Sequence, residues 1–287
     1  MEIKTLMMNK TNKNNKTNSS PLRSLSGANI LDKIVADKYK EVALKKSVIN
    51  MKQLESSNLF KRQTFSLKST LRGSSTGIIA EHKRRSPSKG TINQHTNVGQ
   101  VAKGYFNAGV CGMSVLTDIK YFGGSLEDLQ LARASVSMPL LRKEFIIDEY
   151  QIVEAKAHGA DAILLIAAVL SREEIKSFSE LAQSLDLDVL LEVHNETELH
   201  KSIMPSLDML GVNNRNLKTF EVQVDTSKSL AEQIPNDFVK VSESGISSIE
   251  TIQDLKQHGY QGFLIGENFM KTENPGKSAM EFVKKLI

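Results

Sequence analysis

A single cysteine, Cys111, stands in a chain of 287 residues. It excludes a disulfide framework and points to a reducing compartment, the cytoplasm. No apolar run approaches the ~18 residues that a membrane span requires, so the protein is expected to be soluble, with no membrane partner. The six histidines, His82, His95, His158, His194, His200 and His258, are scattered, and none lies at a paired metal-ligand spacing. No metal is expected. Walker and dinucleotide glycine fingerprints are also missing, so no nucleotide cofactor is expected. His82 and His194 adjoin apolar runs, but strand alternation should turn them away from residues such as Glu81 and Lys83.

Positive charge on the folded part is lacking too. The net charge of +4 is accounted for by residues 1–30, where Lys4, Lys10, Lys13, Lys16 and Arg23 face only Glu2. The remainder is balanced, which weakens any nucleic-acid reading, because that needs basic residues clustered on the domain. Residues 1–29 are rich in Asn, Lys, Thr and Ser and poor in large apolar residues. They cannot bury enough surface to offset the entropy of ordering, and a disordered tail is expected there. Leu6-Met7-Met8 is too short for a secretory core. The segment is Lys-rich rather than Arg-rich and has no amphipathic stripe, which argues against an organellar transit peptide.

The remainder, 30–287, is long enough for one large α/β domain. Leu31, Ile34, Val35, Lys38, Tyr39 and Val42 recur at spacings of three and four, which predicts an amphipathic helix ahead of the first strand. Eight short apolar runs follow: Gly77–Ala80, Met113–Leu116, Leu140–Leu141, Ala162–Ile166, Val189–Leu191, Met209–Val212, Val239–Val241 and Phe263–Ile265. They start roughly 20–35 residues apart, the length of one strand-helix unit. Ser171 with Glu174, Asn195 with Glu198 and Ser247 with Glu250 read as helix caps. The runs lack strict alternation, as in parallel strands covered on both faces. A single (β/α)8 TIM barrel with an extra N-terminal helix is the expected fold; an open doubly wound sheet is the competitor.

In such a barrel the residues just past each strand form one functional face. Pro139-Leu140-Leu141-Arg142-Lys143 places Lys143 at the end of the third strand. Glu81 and Lys83 follow the first, and Glu192 ends the fifth. Two acids and two bases at one mouth can hold each other ionised and exchange protons with substrate. A structural salt-bridge network is the alternative reading. Arg215 in Asn213-Asn214-Arg215 offers a fork for a carboxylate or phosphate. Phe122 and Phe145 could line a slot for a flat ring. Ser244-Gly245 after strand seven and Gly266-Glu267 after strand eight sit where barrels commonly hold phosphate.

Seven ordered stretches resemble the indole-3-glycerol phosphate synthase family. They are IAEHKRRSPSKG (79–90), SVLTDIKYFGGS (114–125), PLLRKEFI (139–146), LLEVH (190–194), GVNNRNL (211–217), VSESGI (241–246) and LIGENFM (264–270). The resemblance covers the chain from about Ile30 to its end and includes the extra helix. It implies ring closure of 1-(2-carboxyphenylamino)-1-deoxyribulose 5-phosphate, with loss of carbon dioxide and water, to indole-3-glycerol phosphate in tryptophan synthesis. It implies a small-molecule substrate, no cofactor, and other tryptophan-pathway enzymes as candidate partners. Lys143 falls on the family's proton donor, and Glu192 on its acid/base carboxylate. Glu81 and Lys83 match the pair that tunes the site and contacts substrate anions, so Lys83 is implied in phosphate binding. Asn213, Arg215 and Ser86 match substrate-orienting residues, and Phe122 and Phe145 flank the anthranilate ring. Ser244, Gly245, Gly266 and Glu267 place the ribulose hydroxyls and the phosphate. Glu144 departs from the family's aspartate, adding a methylene beside the key lysine. A sugar-isomerase barrel of the phosphoribosylanthranilate type and a non-catalytic metabolite-binding barrel remain as alternatives.

Overall fold

The computed structural model describes residues 29–287. The expected disordered tail lies outside the described residues except for Asn29. That residue is a helix cap: its side chain accepts from the Asp32 backbone N–H at 3.0 Å, and Asp32 accepts from the Asn29 N–H at 3.3 Å. The chain then runs through α1 (Ile30–Val48), α2 (Met51–Glu55) and α3 (Leu67–Arg72). Eight barrel strands follow: β1 (Ile78–His82), β2 (Gly112–Leu116), β3 (Leu140–Lys143), β4 (Ala162–Ile166), β5 (Asp188–Val193), β6 (Met209–Asn213), β7 (Val239–Glu243) and β8 (Tyr260–Ile265). Each predicted apolar run is one of them.

All eight strands pair in parallel in chain order, and β8 closes on β1 through Ile78–Phe263, Ile79–Leu264 and Ala80–Ile265. The interleaved helices are α4 (Val98–Asn107), α5 (Ile119–Phe122), α6 (Leu126–Ser135), α7 (Glu149–Ala157), α8 (Arg172–Ser184), α9 (Glu196–Ser202), α10 (Asp225–Ala231), α11 (Ile249–Gln257), α12 (Glu267–Met270) and α13 (Pro275–Lys284). A two-stranded hairpin, Arg85–Ser86 with Gly90–Thr91, leaves the end of β1. No helix among the described residues is long and apolar enough to cross a membrane.

Alternation along the strands separates two cores. Ile79, Leu141, Leu164, Leu190, Val241 and Leu264 pack together inside the ring, with Leu67 and Leu71 of α3 packed against them. The opposite strand face meets the helices, where Ile78, Leu140, Ile163, Val189, Val212 and Phe263 belong to the outer core. A side chain two residues past an inward apolar one points the same way. Ile79 thus predicts an inward Glu81, Leu141 an inward Lys143, Leu190 an inward Glu192 and Val241 an inward Glu243.

Two local expectations are corrected. On α1 the buried stripe is Ile34, Lys38 and Val42, while Tyr39 is 53% exposed. The helix meets its neighbours along one narrow line, and Tyr39 lies beyond it. The cap of α11 is Ser248, which accepts from Thr251 N–H, and not Ser247. Asn195 caps α9 as expected, but Glu198 turns its carboxylate to His194 instead of closing a reciprocal box.

At the end of the barrel remote from the mouth, Asp161 is fully buried. It accepts from Arg62 Nη2 (2.5 Å), Arg133 Nη1 (2.7 Å), Phe65 N–H (2.9 Å) and Leu140 N–H (2.9 Å). One carboxylate therefore ties the segment before α3 to α6 and the start of β3. Removing one partner of a buried ion pair strands the others without water. Asp161→Ala is expected to lower unfolding free energy by about 3–5 kcal/mol. Urea denaturation checks this; a loss below about 1 kcal/mol would mean that the arginines find water instead.

Candidate active site

A cavity of about 400 Å³ opens at the C-terminal ends of the strands. Ile30, Leu31 and Ile34 of α1 line one side of it. Its floor carries the residues that alternation turns inward. Lys143 Nζ donates to Glu192 Oε2 at 3.0 Å and also to Glu243 Oε2. Asn213 Nδ2 donates to Glu192 Oε1 at 3.1 Å. Lys83 Nζ lies 2.6 Å from Glu81 Oε1, so the expected pair is formed. The four charged residues named from the sequence all line this one cavity.

Glu243 was read from the sequence only as the end of strand seven, with no role. It belongs at the centre. The available signal was its parity with Val241, which places it inside the ring opposite Lys143. Room for its carboxylate comes from Gly211, where an added Cβ would collide with Glu243 Oε1. Gly266 does the same for Glu81. That glycine gives a carboxylate room, besides standing at the expected phosphate corner.

One ammonium here faces several buried acids. Burial alone would push the Lys143 ammonium down; the charges of Glu192, Glu243 and Glu81 outweigh it and hold its pKa well above the ordinary lysine value. Burial raises Glu192, but the Lys143 and His194 charges and the Asn213 hydrogen bond bring it down to about 2. Glu243 is pushed up to about 7 by burial and by the Glu192 charge, which together outweigh Lys143. The difference has a visible cause. Both Glu192 oxygens have donors, whereas Glu243 Oε1 is buried with no hydrogen-bonding partner. Of the two acids, Glu243 is therefore the one that holds a proton more readily.

The other candidates sit around this floor. Phe122 and Phe145 face each other with ring centroids 5.9 Å apart and planes tilted by 38°. Both are held by neighbouring acids: Asp118 Oδ1 accepts from Phe122 N–H at 3.2 Å, and Glu144 Oε1 from Phe145 N–H at 2.8 Å. Arg215 lines the cavity and donates from Nη1 to Phe220 O at 3.1 Å, while Asn213 Oδ1 accepts from its backbone N–H. Ser86 reaches the cavity from the hairpin. Ser244 and Gly245 have φ of 67° and 76°, a left-handed turn that costs a serine strain. Glu267 opens α12, a single turn whose Phe269 and Met270 N–H groups donate to Gly266 O, and its side chain lies 3.4 Å from Lys89. Lys83, Lys89 and Lys271 also line the cavity.

Two further sequence expectations change. Glu144 does not adjust Lys143 by contact. Its carboxylate accepts from Thr117 Oγ1 at 2.8 Å and lies 3.1 Å from Lys38 Nζ, at the cavity wall just past the end of β3. Lys38 of α1 is buried and also lies 3.0 Å from Asp118. Burial would lower its pKa, but Glu144 and Asp118 raise it well above the ordinary value. His194 is likewise not turned away from the site. It shares the parity of Glu192, and its Nε2 lies 3.4 Å from Glu192 Oε1. His82 does alternate outward from Glu81 and is buried. Among the described residues, no group of three or more His, Cys, Asp or Glu side chains could hold a metal ion.

Glu243 holds its proton more tightly in the native state than an unfolded glutamate near pKa 4.3. Its contribution to stability is therefore present at low pH and lost as pH rises from about 4.5 towards 7. Glu243→Gln is expected to gain stability relative to the parent across that window. Denaturation midpoints measured from about pH 4.5 to 7.5 check this, and parallel curves would put the proton elsewhere.

Comparison with known proteins follows the same lines. The family model described as Indole-3-glycerol phosphate synthase matches residues 31–282. A relative named indole-3-glycerol phosphate synthase from Bacteroides thetaiotaomicron is 49% identical over 257 residues, 90% of this chain and 98% of its own. One of the same name from Neisseria meningitidis serogroup B is 44% identical over 249 residues, 85% of this chain and 95% of its own. Among solved structures, 3-hexulose-6-phosphate synthase from Salmonella typhimurium superposes with a TM-score of 0.58 at 14% identity, covering 73% of this chain and 98% of its own. KGPDC from Streptococcus mutans gives 0.55 at 13% identity, covering 73% and 96%. These two show the barrel fold.

Proposed function

This chain belongs to the indole-3-glycerol phosphate synthase family, and we propose that its barrel mouth closes the indole ring with Lys143 as the proton donor. The reaction converts 1-(2-carboxyphenylamino)-1-deoxyribulose 5-phosphate to indole-3-glycerol phosphate, carbon dioxide and water. The observation that carries the assignment of roles is the Lys143–Glu192 contact of 3.0 Å at the floor of the cavity. A sugar isomerase has no need of that arrangement.

In this reading the phosphate docks against Ser244, Gly245, Gly266 and the backbone at Glu267, with Lys83 beside it. The flexible lysine stem lets Nζ leave Glu81 for an anion. The anthranilate ring lies between Phe122 and Phe145, its carboxylate towards Arg215 and Ser86. The ring carbon bearing that carboxylate attacks the ribulose carbonyl, and Lys143 protonates the oxygen as it gains charge. An ammonium held so tightly by neighbouring acids yields its proton to a strong base such as that developing alkoxide. Loss of carbon dioxide then restores the aromatic ring. In the second stage the new hydroxyl leaves as water; Glu192, oriented by Asn213, handles the protons. Glu81 holds Lys83 in place.

No cofactor takes part in these steps. Residues 30–287 serve as the catalytic domain. A cytoplasmic location fits the lone buried thiol of Cys111, and enzymes handling neighbouring tryptophan intermediates are the partners we propose.

Lys143→Ala is expected to lower kcat by about 10²–10⁴-fold with a smaller change in KM. The chain has no tryptophan, so indole fluorescence from product rises over a dark background. Near-normal turnover in this variant would remove Lys143 as the acid.

A further inference from the structure

The reaction assigned above consumes a proton. Two protons enter, one on the carbonyl oxygen and one on the departing hydroxyl. One returns from the sugar carbon that joins the new double bond. The carboxylate leaves as neutral carbon dioxide and gives its electron pair to the ring. Each turnover therefore takes one proton from solvent. With substrate filling the main cavity beside α1, that proton needs another path to the floor.

A second cavity, of about 370 Å³, lies beside the first. Asn213 and Arg215 border both, while His194 and Glu198 line only the second. His194 thus stands between the second cavity and Glu192. Glu198 Oε2 accepts from the His194 backbone N–H at 2.8 Å and from ring Nδ1 at 3.2 Å. Asn195 Nδ2 donates to the other Glu198 oxygen at 2.9 Å. The resting ring therefore lies with Nδ1 towards Glu198. Nε2 is buried, has no hydrogen-bonding partner, and lies 3.4 Å from Glu192 Oε1.

We propose that His194 is the proton inlet of this site, passing a solvent proton from the second cavity to Glu192. His194 is a positioning and relay residue, since it reaches the substrate only through Glu192. The Nε2–H bond breaks and its electron pair stays on the ring. Glu192 Oε1 gains the proton and delivers it to the departing hydroxyl; the proton that leaves the sugar carbon passes through Glu192 to Lys143 Nζ, 3.0 Å away, and recharges it. The neutral ring, still carrying its Nδ1 proton, then turns about its Cβ–Cγ bond to bring Nε2 into the second cavity, takes a proton from solvent there and turns back. Glu192 of β5, Glu243 of β7 and Glu198 of α9 all favour the charged ring; Arg215, Lys218 and Glu221 border the same cavity. Burial would lower the His194 pKa, but the Glu198 hydrogen bond and the Glu192 charge raise it.

The inference rests on the assigned reaction, and wild-type turnover of the anilino-ribulose substrate tests that premise separately. In His194→Ala, kcat is expected to fall about tenfold or more, with KM within about twofold. Imidazole and other small buffer acids are expected to restore it in proportion to their concentration and acidity. An unchanged kcat overturns the relay, and so does a loss that no buffer acid repairs. Glu198→Gln keeps the ring but removes the charge beside Nδ1. Because the protonated ring is the donor, kcat falls as pH rises through its pKa, and this variant moves that limb to lower pH. An unmoved limb also overturns the relay.

Discussion

The mouth of this barrel depends on one buried ammonium among more acids than it can neutralise. Lys143 Nζ touches Glu192 and Glu243, and the charge of Glu81 reaches it too. Desolvating a charge costs several kcal/mol unless close partners replace the water. One lysine can compensate one carboxylate fully, so the next holds a proton more tightly than a free glutamate. Hydrogen bonding decides which. Glu192 has Asn213 and Lys143 as donors, while one Glu243 oxygen has none. Two acids with opposite leanings thus share one ammonium, Glu192 towards the charged form and Glu243 towards the neutral one.

Strand parity makes that cluster possible. β3 presents Lys143 inward and Arg142 outward, and each anchors a separate ion network. Outside the ring, Arg142 Nη2 binds Glu154 of α7 at 2.7 Å and its Nε donates to Thr117 Oγ1. Lys38 of α1 joins this outer network through Glu144 and Asp118. Asp118 and Glu144 also hold the backbone of Phe122 and Phe145. The added helix is therefore coupled to the aromatic slot by buried charge, and its Ile34 lines the same cavity as Phe122 and Phe145.

Much of this was readable in the sequence. The eight strands follow from apolar runs at even spacing, because parallel strands buried on both faces leave that trace. Lys143, Glu192, Glu81 and Lys83 were found because charge directly after an apolar run has few places to go. Glu243 was passed over because it sits beside Ser244-Gly245, whose turn chemistry drew the eye to phosphate. His194 was misjudged because it was compared with Glu81, whereas its parity partner is Glu192, two residues back. Glu144 was placed beside Lys143 by adjacency, although neighbours on a strand point to opposite faces. Lys38 stood on the predicted stripe of α1 and has Glu41 three residues on, but its partners Asp118 and Glu144 lie about 80 or more residues away and only closure of the barrel joins them.

The central claim is that the acid at the floor is a lysine kept charged by its neighbours. The side-chain ¹⁵N resonance of Lys143 reports that charge directly, assigned by comparison with the Lys143→Ala variant. It is expected to remain that of an ammonium at about pH 10, near the ordinary lysine midpoint. A neutral amine at pH 8 would contradict the account, because a lysine of lowered pKa would serve as a base or nucleophile and not as the proton donor described here.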